Sequence, residues 1–218
     1  MIDVPVELLR GYQTFRRDRY PRQAALYGAL SEAQAPRVMI VACADSRVDP
    51  AVIFTAGPGE LFVVRNVANL IPPCQSDATH HGTSAALEFA VTNLDVAHIV
   101  VLGHARCGGI SACLAAAEQR FVGRFIGPWV GIASAAREAV LSRHPGADPE
   151  TRRRELELES IRHSVRRLRD YPFVAQAIAG RGMRVHGAWF SIADGELNWL
   201  DPENGIFTAI SRHGPAGS

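Results

Sequence analysis

The sequence predicts an α/β fold with a central, mostly parallel β-sheet flanked by helices. Three short apolar runs, at residues 38–42, 61–64 and 98–102, alternate with stretches that have helical features. Continuous apolar runs of this length are typical of strands buried on both faces, and strands that alternate with helices build parallel sheets. A chain of 218 residues, 47% of them hydrophobic, is long enough to bury the core of one domain.

The chain is expected to begin with a helical N-terminal arm at residues 1–34. Apolar side chains recur between residues 6 and 32 with an imperfect helical period, which Pro21 interrupts. The α/β core should then occupy residues 35–212. The last residues, 213–218, are rich in Gly, Pro and Ser, and this composition predicts a flexible tail.

Helices are expected between the strands and after the third strand. Periodicity and turn residues place them at about 79–94, 110–118 and 128–142. Pro128 suits the first position of the last of these helices, because proline has no N–H to lose there. Three strands with intervening helices again indicate a parallel sheet.

The C-terminal third combines a charged helix with a hairpin. The stretch 149–170 carries apolar residues at roughly helical spacing, which predicts an amphipathic surface helix. Its charged run is interpreted as a solvated helix face, formed by Arg152, Arg153, Arg154, Glu155, Glu157 and Glu159. Residues 184–192 alternate, and the turn Asp194-Gly195 joins them to 196–200, which predicts a β-hairpin at the edge of the sheet.

Composition excludes several classes of partner. The net charge of +1 provides no field to attract nucleic acid or an anionic membrane, and no apolar stretch approaches the roughly 20 residues that cross a bilayer. The N-terminus lacks the pattern of a secretory signal, and four scattered cysteines are too few for a disulfide scaffold. We therefore expect a cytoplasmic protein that acts on a small molecule.

Two polar segments follow the first and third predicted strands. Cys43-Ala-Asp45-Ser-Arg47 leaves the first strand, and His104-Ala-Arg-Cys107-Gly-Gly leaves the third. The carboxyl ends of parallel strands meet at one edge of the sheet, so two thiolates and one imidazole can converge there. Such ligands bind Zn²⁺ tightly in tetrahedral geometry, and three of them leave a fourth position for water, as in catalytic zinc sites.

Asp45 and Arg47 alternate with Cys43 in the same turn and should form a charge-assisted pair beside the metal. A carboxylate that Arg47 keeps ionised can only accept hydrogen bonds, so it would orient a zinc-bound hydroxide through its proton. Without that pairing Asp45 would be free to bind the zinc itself.

Each of these residues also has a simpler interpretation. A buried cysteine at a strand end is usually a small core residue, and a single histidine is usually a surface or hydrogen-bonded one. The joint occurrence of both motifs after strand signals favours a metal site. A nucleophilic role for Cys43 is disfavoured, because phosphate-binding cysteine loops place Arg six residues further on, where this chain has Asp49.

The segments 43–48, 59–69 and 103–109 closely resemble the signatures of the β-class carbonic anhydrases. The similarity extends from about residue 34 to 118 and is more diffuse beyond that. The resemblance implies one zinc per subunit, held by Cys43, His104 and Cys107, with Asp45 and Arg47 as the catalytic dyad. It also implies an apolar substrate pocket that a neighbouring subunit completes, with the substrate-binding residues Gln34, Phe62, Val67, Phe89 and Gly108.

Two positions depart from one branch of that family. Members with an inhibitory bicarbonate site have Trp and Tyr where this chain has Ile40 and Phe190, and only the accompanying Arg65 is present here. The resemblance is therefore to the plant-like subtype with an open zinc and no such switch. Whether Asp45 becomes a fourth ligand in a closed state at low pH stays open.

The resemblance implies zinc-dependent, reversible hydration of carbon dioxide to bicarbonate and a proton, in a homodimer at minimum or a homotetramer. Two alternatives keep the zinc site. One is hydrolysis of carbon disulfide or carbonyl sulfide on the same scaffold, and the other is a non-catalytic zinc protein that serves assembly.

Overall fold

The computed structural model describes residues 3–75 and 79–210. The predicted flexible tail, 213–218, lies outside the described residues. The chain divides into two units, Met1–Ala35 and Pro36–Ser218. Within the described ranges no helix is long and apolar enough to cross a membrane.

The N-terminal unit is helical, as the periodicity predicts. It consists of α1 (Val6–Thr14), a π-helical segment at Phe15–Arg19 and α2 (Tyr20–Leu30). Pro21 does not break a helix but lies in the first turn of α2, where a missing N–H costs no hydrogen bond. The rings of Phe15, Tyr20 and Tyr27 pack together, with centroids 5.4 to 5.9 Å apart.

The second unit is built on one sheet of six strands in the order β2-β1-β3-β4-β5-β6. The strands are β1 (Val38–Cys43), β2 (Leu61–Asn66), β3 (His98–His104), β4 (Arg184–Phe190), β5 (Leu197–Leu200) and β6 (Phe207–Ala209). Strands β1 to β4 pair with one another in parallel. Strand β5 pairs antiparallel with β4, and β6 pairs antiparallel with β5. The predicted mostly parallel sheet and the β4–β5 hairpin at its edge are confirmed. The prediction missed β6, which has only three residues.

Seven helices accompany the described part of this sheet. They are α3 (Pro50–Ile53), α4 (Gly82–Thr92), α5 (Gly108–Ala117), α6 (Ile126–Val130), α7 (Ser134–Arg143), α8 (Pro149–Leu168) and α9 (Pro172–Arg181). The single helix predicted at 128–142 is wrong, because a 3₁₀ turn at Gly131–Ala133 separates α6 from α7. The short α3 and the apolar α9 were not predicted.

Helix α8 packs unusually close to the sheet at two glycines. A Cβ added to Gly103 in β3 would lie 2.6 Å from the Cδ1 of Ile161, and one added to Gly187 in β4 would lie 2.8 Å from its Cγ2. Only glycine leaves room for the helix at these positions. The close approach brings the middle of α8 against the carboxyl end of β3.

This packing overturns one interpretation of the charged run on α8. The carboxylates of Glu157 and Glu159 do not belong to a solvated face, because these residues are only 3% and 8% exposed. Glu157 lies on the same side of the helix as Ile161, four residues later, which faces the sheet. The buried acids therefore require partners inside the protein.

Candidate metal centre

Three side chains that could hold a metal ion converge at the carboxyl edge of the sheet. Cys43 is the last residue of β1, His104 is the last of β3, and Cys107 immediately precedes α5. Their ligand atoms all lie within 4.8 Å of one another. All three residues are buried, with at most 4% of their surface exposed.

The imidazole of His104 is oriented with one nitrogen free. Its Nδ1 donates to the carbonyl oxygen of Ala105 at 2.8 Å, which leaves the Nε2 lone pair directed at the cluster. This Nε2 is buried and has no hydrogen-bond partner among the described residues. A buried ring nitrogen with no hydrogen-bond partner in the protein is what an imidazole that binds a metal presents to its ion.

The two sulfurs lie 3.9 Å apart. Their hydrogen bond lowers the pKa of the Cys43 thiol, and the backbone amides of Asp45 and Ala68 act in the same direction. The same hydrogen bond, together with burial, raises the pKa of the Cys107 thiol. A divalent cation held by both sulfurs would bind them as thiolates, with loss of the thiol protons. Two thiolates and one imidazole fit Zn²⁺.

Two non-glycine residues near the cluster have the left-handed conformation, one in the turn after β2 and one in the loop after β3. Ala68, whose amide hydrogen-bonds Cys43, has φ 66°, and Arg106, which precedes Cys107, has φ 55°. Such conformations cost about 1 to 3 kcal/mol and persist where the surroundings enforce them. Two segments beside the cluster therefore carry such strain.

Asp45 and Arg47 form the pair that their spacing predicts. Arg47 Nε donates to Asp45 Oδ1 at 2.9 Å, and Nη2 donates to Oδ2 at 2.6 Å. This hydrogen bonding holds the pKa of the Asp45 carboxyl well below its usual range. The Oδ2 atom lies 3.9 Å from His104 Nε2, so the ionised carboxylate borders the cluster.

Arg65 has a role that the sequence did not indicate. Its Nε donates to the carbonyl oxygen of Cys43 at 3.0 Å, and its Nη2 donates to that of Asp45 at 2.6 Å. Its Nη1 also pairs with Asp49 at 3.2 Å. The guanidinium of this one residue on β2 therefore stabilises the loop after β1 through several hydrogen bonds.

The expected pocket residues are only partly brought together. The rings of Phe62 and Phe89 pack with centroids 6.0 Å apart, and Val67 lies against Gly109, where an added Cβ would be 2.7 Å from its Cγ1. Phe89 and Val67 are 43% and 37% exposed. The space in front of the Gly108 Cα is open, with nothing within 4 Å of an added Cβ.

The remaining residues of interest lie at other places in the fold. Gln34 is exposed and belongs to the N-terminal unit. Ile40 is buried in β1, and Phe190 at the end of β4 packs against the same apolar cluster. The positions at which one branch of the resembling family has Trp and Tyr therefore contribute only apolar contacts here.

Glu157, like Arg65, lies next to the cluster, and it was not assigned to the site from the sequence. Its Oε1 accepts a hydrogen bond from the backbone N–H of Cys107 at 3.1 Å. Burial raises the pKa of this carboxyl. A signal was present in the sequence, because Glu157 lies at helical spacing from the apolar residues Ile161 and Leu168.

Comparison with known proteins gives consistent matches. A family model described as carbonic anhydrase matches residues 38–197. Over 192 residues the chain is 35% identical to the protein "Beta carbonic anhydrase 5, chloroplastic" of Arabidopsis thaliana. The aligned region covers 88% of this chain and 63% of that protein. This chain thus spans less than two thirds of the length of that plant relative.

Solved structures with the same architecture are also similar. The structure of the β-carbonic anhydrase CcaA superposes with a TM-score of 0.87 at 31% identity, covering 94% of this chain and 91% of the other. One of the structures described as two tetrameric β-carbonic anhydrases from Sordaria macrospora gives a TM-score of 0.81 at 28% identity, covering 93% and 98% of the two chains.

Proposed function

This chain belongs to the β-carbonic anhydrase family, and from that premise we propose that it catalyses the reversible hydration of carbon dioxide to bicarbonate and a proton. The observation that carries the proposal is the buried group of Cys43, His104 and Cys107 with its unpartnered Nε2. A zinc ion held by these three residues would supply a Lewis acid that lowers the pKa of water to about 7.

Asp45 and Arg47 are proposed as the catalytic dyad. Because Arg47 engages both carboxylate oxygens, Asp45 stays ionised and can only accept a hydrogen bond from the attacking oxygen. That contact would keep a lone pair of the nucleophile directed at the substrate carbon. The same pairing holds Asp45 away from the role of a fourth ligand, which supports an open form of the site.

The substrate is proposed to lie against Phe62, Val67 and Phe89, since carbon dioxide is apolar. The partial exposure of Val67 and Phe89 in the single chain is what we expect of a pocket wall that a second subunit completes. Gly108 borders the open space, and Gln34 is proposed to hydrogen-bond the substrate. We propose a homodimer at minimum, and a tetramer is compatible with the tetrameric proteins of Sordaria macrospora.

The test is zinc content measured together with carbon dioxide hydration. Cys43→Ala and His104→Ala each remove one ligand, so both variants should lose bound zinc and lose hydration in parallel. Cys74→Ala is the matched control, because this cysteine is exposed and should leave both quantities unchanged. Hydration that survives in a zinc-free ligand variant would refute the proposal.

The same preparations separate the alternatives. Wild-type protein assayed with carbon dioxide, carbonyl sulfide and carbon disulfide should turn over carbon dioxide fastest. Turnover of only the sulfur-containing gases would identify a hydrolase on this scaffold. Stoichiometric zinc without turnover of any of the three gases would identify a non-catalytic zinc protein.

A further inference from the structure

The buried carboxylate of Glu157 joins α8 to the loop that carries Cys107. Oε1 accepts from the backbone N–H of Cys107 at 3.1 Å, and Oε2 accepts from the indole Nε1 of Trp189 at 3.1 Å. Glu157 and Trp189 are each 3% exposed. Both oxygens of one acid are thus occupied by donors from two different parts of the chain.

We propose that Glu157 is a positioning residue that fixes the sulfur of Cys107 in the geometry that binds the metal. The inference rests on the proposed function, because it assigns Glu157 a role toward the metal of the same site. Glu157 contacts neither the metal-binding atoms nor the substrate pocket; it acts through the backbone of Cys107.

The loop before α5 has a backbone conformation that requires this hydrogen bond from Cys107 to Glu157. Arg106 has a left-handed backbone with φ 55°, and Cys107 is the residue that precedes the helix, with its N–H outside the helical hydrogen bonds. A buried N–H without an acceptor would be costly and would let the loop relax. The acceptor that holds this loop comes from 50 residues further along the chain.

A carboxylate is the side chain that fits this position. Two N–H donors point at it, and an ionised carboxyl group has two oxygens that only accept. Glutamine in its place would satisfy one donor and turn its own NH₂ toward the other. The negative charge lies close to one arginine of the charged run, since Arg153 Nε is 3.8 Å from Oε1. The guanidinium of Arg154 packs on the Trp189 ring, 4.3 Å from its centroid.

The principal test is Glu157→Gln with two metal readouts that do not depend on turnover. Zinc affinity, measured by competition with a chromophoric chelator, should fall about 10- to 100-fold, as is usual when a residue that orients a metal ligand is removed. The thiolate-to-cobalt charge-transfer band of the Co²⁺-substituted protein should shift or weaken, because it reports the position of the sulfurs.

A matched control and a rescue separate positioning from general stability. Glu159→Gln removes the other buried acid of the run, which pairs with Arg143 and Arg166. It should destabilise the fold but keep the zinc affinity and the cobalt spectrum. The double variant Glu157→Gln/Trp189→Phe removes the second donor, so the amide oxygen can face Cys107 and most of the affinity should return.

The results that would overturn the role of Glu157 differ from those that would refute the proposed function. Glu157→Gln with wild-type zinc affinity and a wild-type cobalt spectrum would overturn the inference, whatever the activity. If Glu157→Gln does not fold, Glu157→Asp withdraws the carboxylate from Cys107, and unchanged zinc affinity in that variant would overturn it as well. Wild-type protein that binds zinc but hydrates nothing would refute the proposed function alone.

Discussion

Arg65 is a single cation that contacts four acceptors at the end of β1 and in the loop after it, one of them the carbonyl oxygen of Val48. Its guanidinium reaches the carbonyl oxygens of Cys43 and Asp45 and the carboxylate of Asp49. A planar group with several fixed donors can span such a set, whereas the ammonium of lysine is a point charge. The backbones of Cys43, a candidate metal ligand, and of Asp45, the proposed acid of the dyad, are thus held by one side chain.

Even the conservative replacement of Arg65 by lysine should lower the stability of the protein. We expect Arg65→Lys to lower the free energy of unfolding by about 1 to 3 kcal/mol, because at least one buried carbonyl loses its donor. Urea unfolding measures the change. Asp49→Asn is the control: its carboxylate is 46% exposed, and loss of such an ion pair typically costs under about 1 kcal/mol. Equal losses in the two variants would show that the carbonyl contacts do not matter.

At the scale of elements, α8 is defined at its start by Asp148. The carboxylate accepts from the backbone N–H groups of Glu150 and Thr151 and from the hydroxyl of Thr151, and Pro149 occupies the first turn. The helix that carries Glu157 thus begins at a fixed residue. The hydrogen bond from the Thr151 hydroxyl is the main reason that the pKa of Asp148 is lowered.

This cap predicts a pH-dependent stability. The folded-state pKa of Asp148 lies below its unfolded value of about 3.9, so the ionised cap stabilises the protein above that pH and its contribution is lost as the pH falls through the folded pKa. Asp148→Ala should lower the urea midpoint at pH 6, and the deficit should shrink as the pH approaches 3. Asp148→Asn keeps an acceptor oxygen at every pH and serves as the control. A deficit that does not change with pH would contradict the assignment.

At the scale of the whole molecule, the N-terminal unit exposes much of its apolar surface. None of the residues of α1 and α2 is buried, and Leu8 and Tyr12 are 67% and 60% exposed. Exposed apolar side chains at this density indicate a contact surface. A second copy of the chain is the partner that the family resemblance implies.

The corresponding prediction concerns the oligomer. Leu8→Asp combined with Tyr12→Asp should raise the dissociation constant of the homodimer at least tenfold, about 1.4 kcal/mol, because a charge would have to be buried at each position. Sedimentation equilibrium over a range of concentrations measures it. Gln13→Asp adds a charge to the same helix at an exposed polar residue and should have a smaller effect. Unchanged association in the double variant would exclude this surface from the interface.

The sequence by itself determined the sheet and the edge at which the chemistry collects. The apolar runs that became β1, β2 and β3 predicted strands, of which β1 and β3 are buried and β2, at the edge of the sheet, is only partly covered. The polar segments after the parallel strands β1 and β3 were therefore expected to meet at the carboxyl edge. The pairing of Asp45 with Arg47 also followed from spacing, because both partners lie in one turn. These inferences rest on local patterns that do not depend on distant residues.

Only the tertiary structure decided which charged residues support that edge. The sequence places Glu157 on the apolar side of a helix and Arg65 at the end of a strand, but it does not show which distant groups those side chains meet. The partner of Glu157 lies 50 residues away and is reached because Gly103 and Gly187 let α8 pack against the sheet. The partner of Arg65 lies 22 residues away and is reached because β1 and β2 pair side by side. Long-range packing therefore determines the surroundings of the site, whereas local sequence determines its ligands.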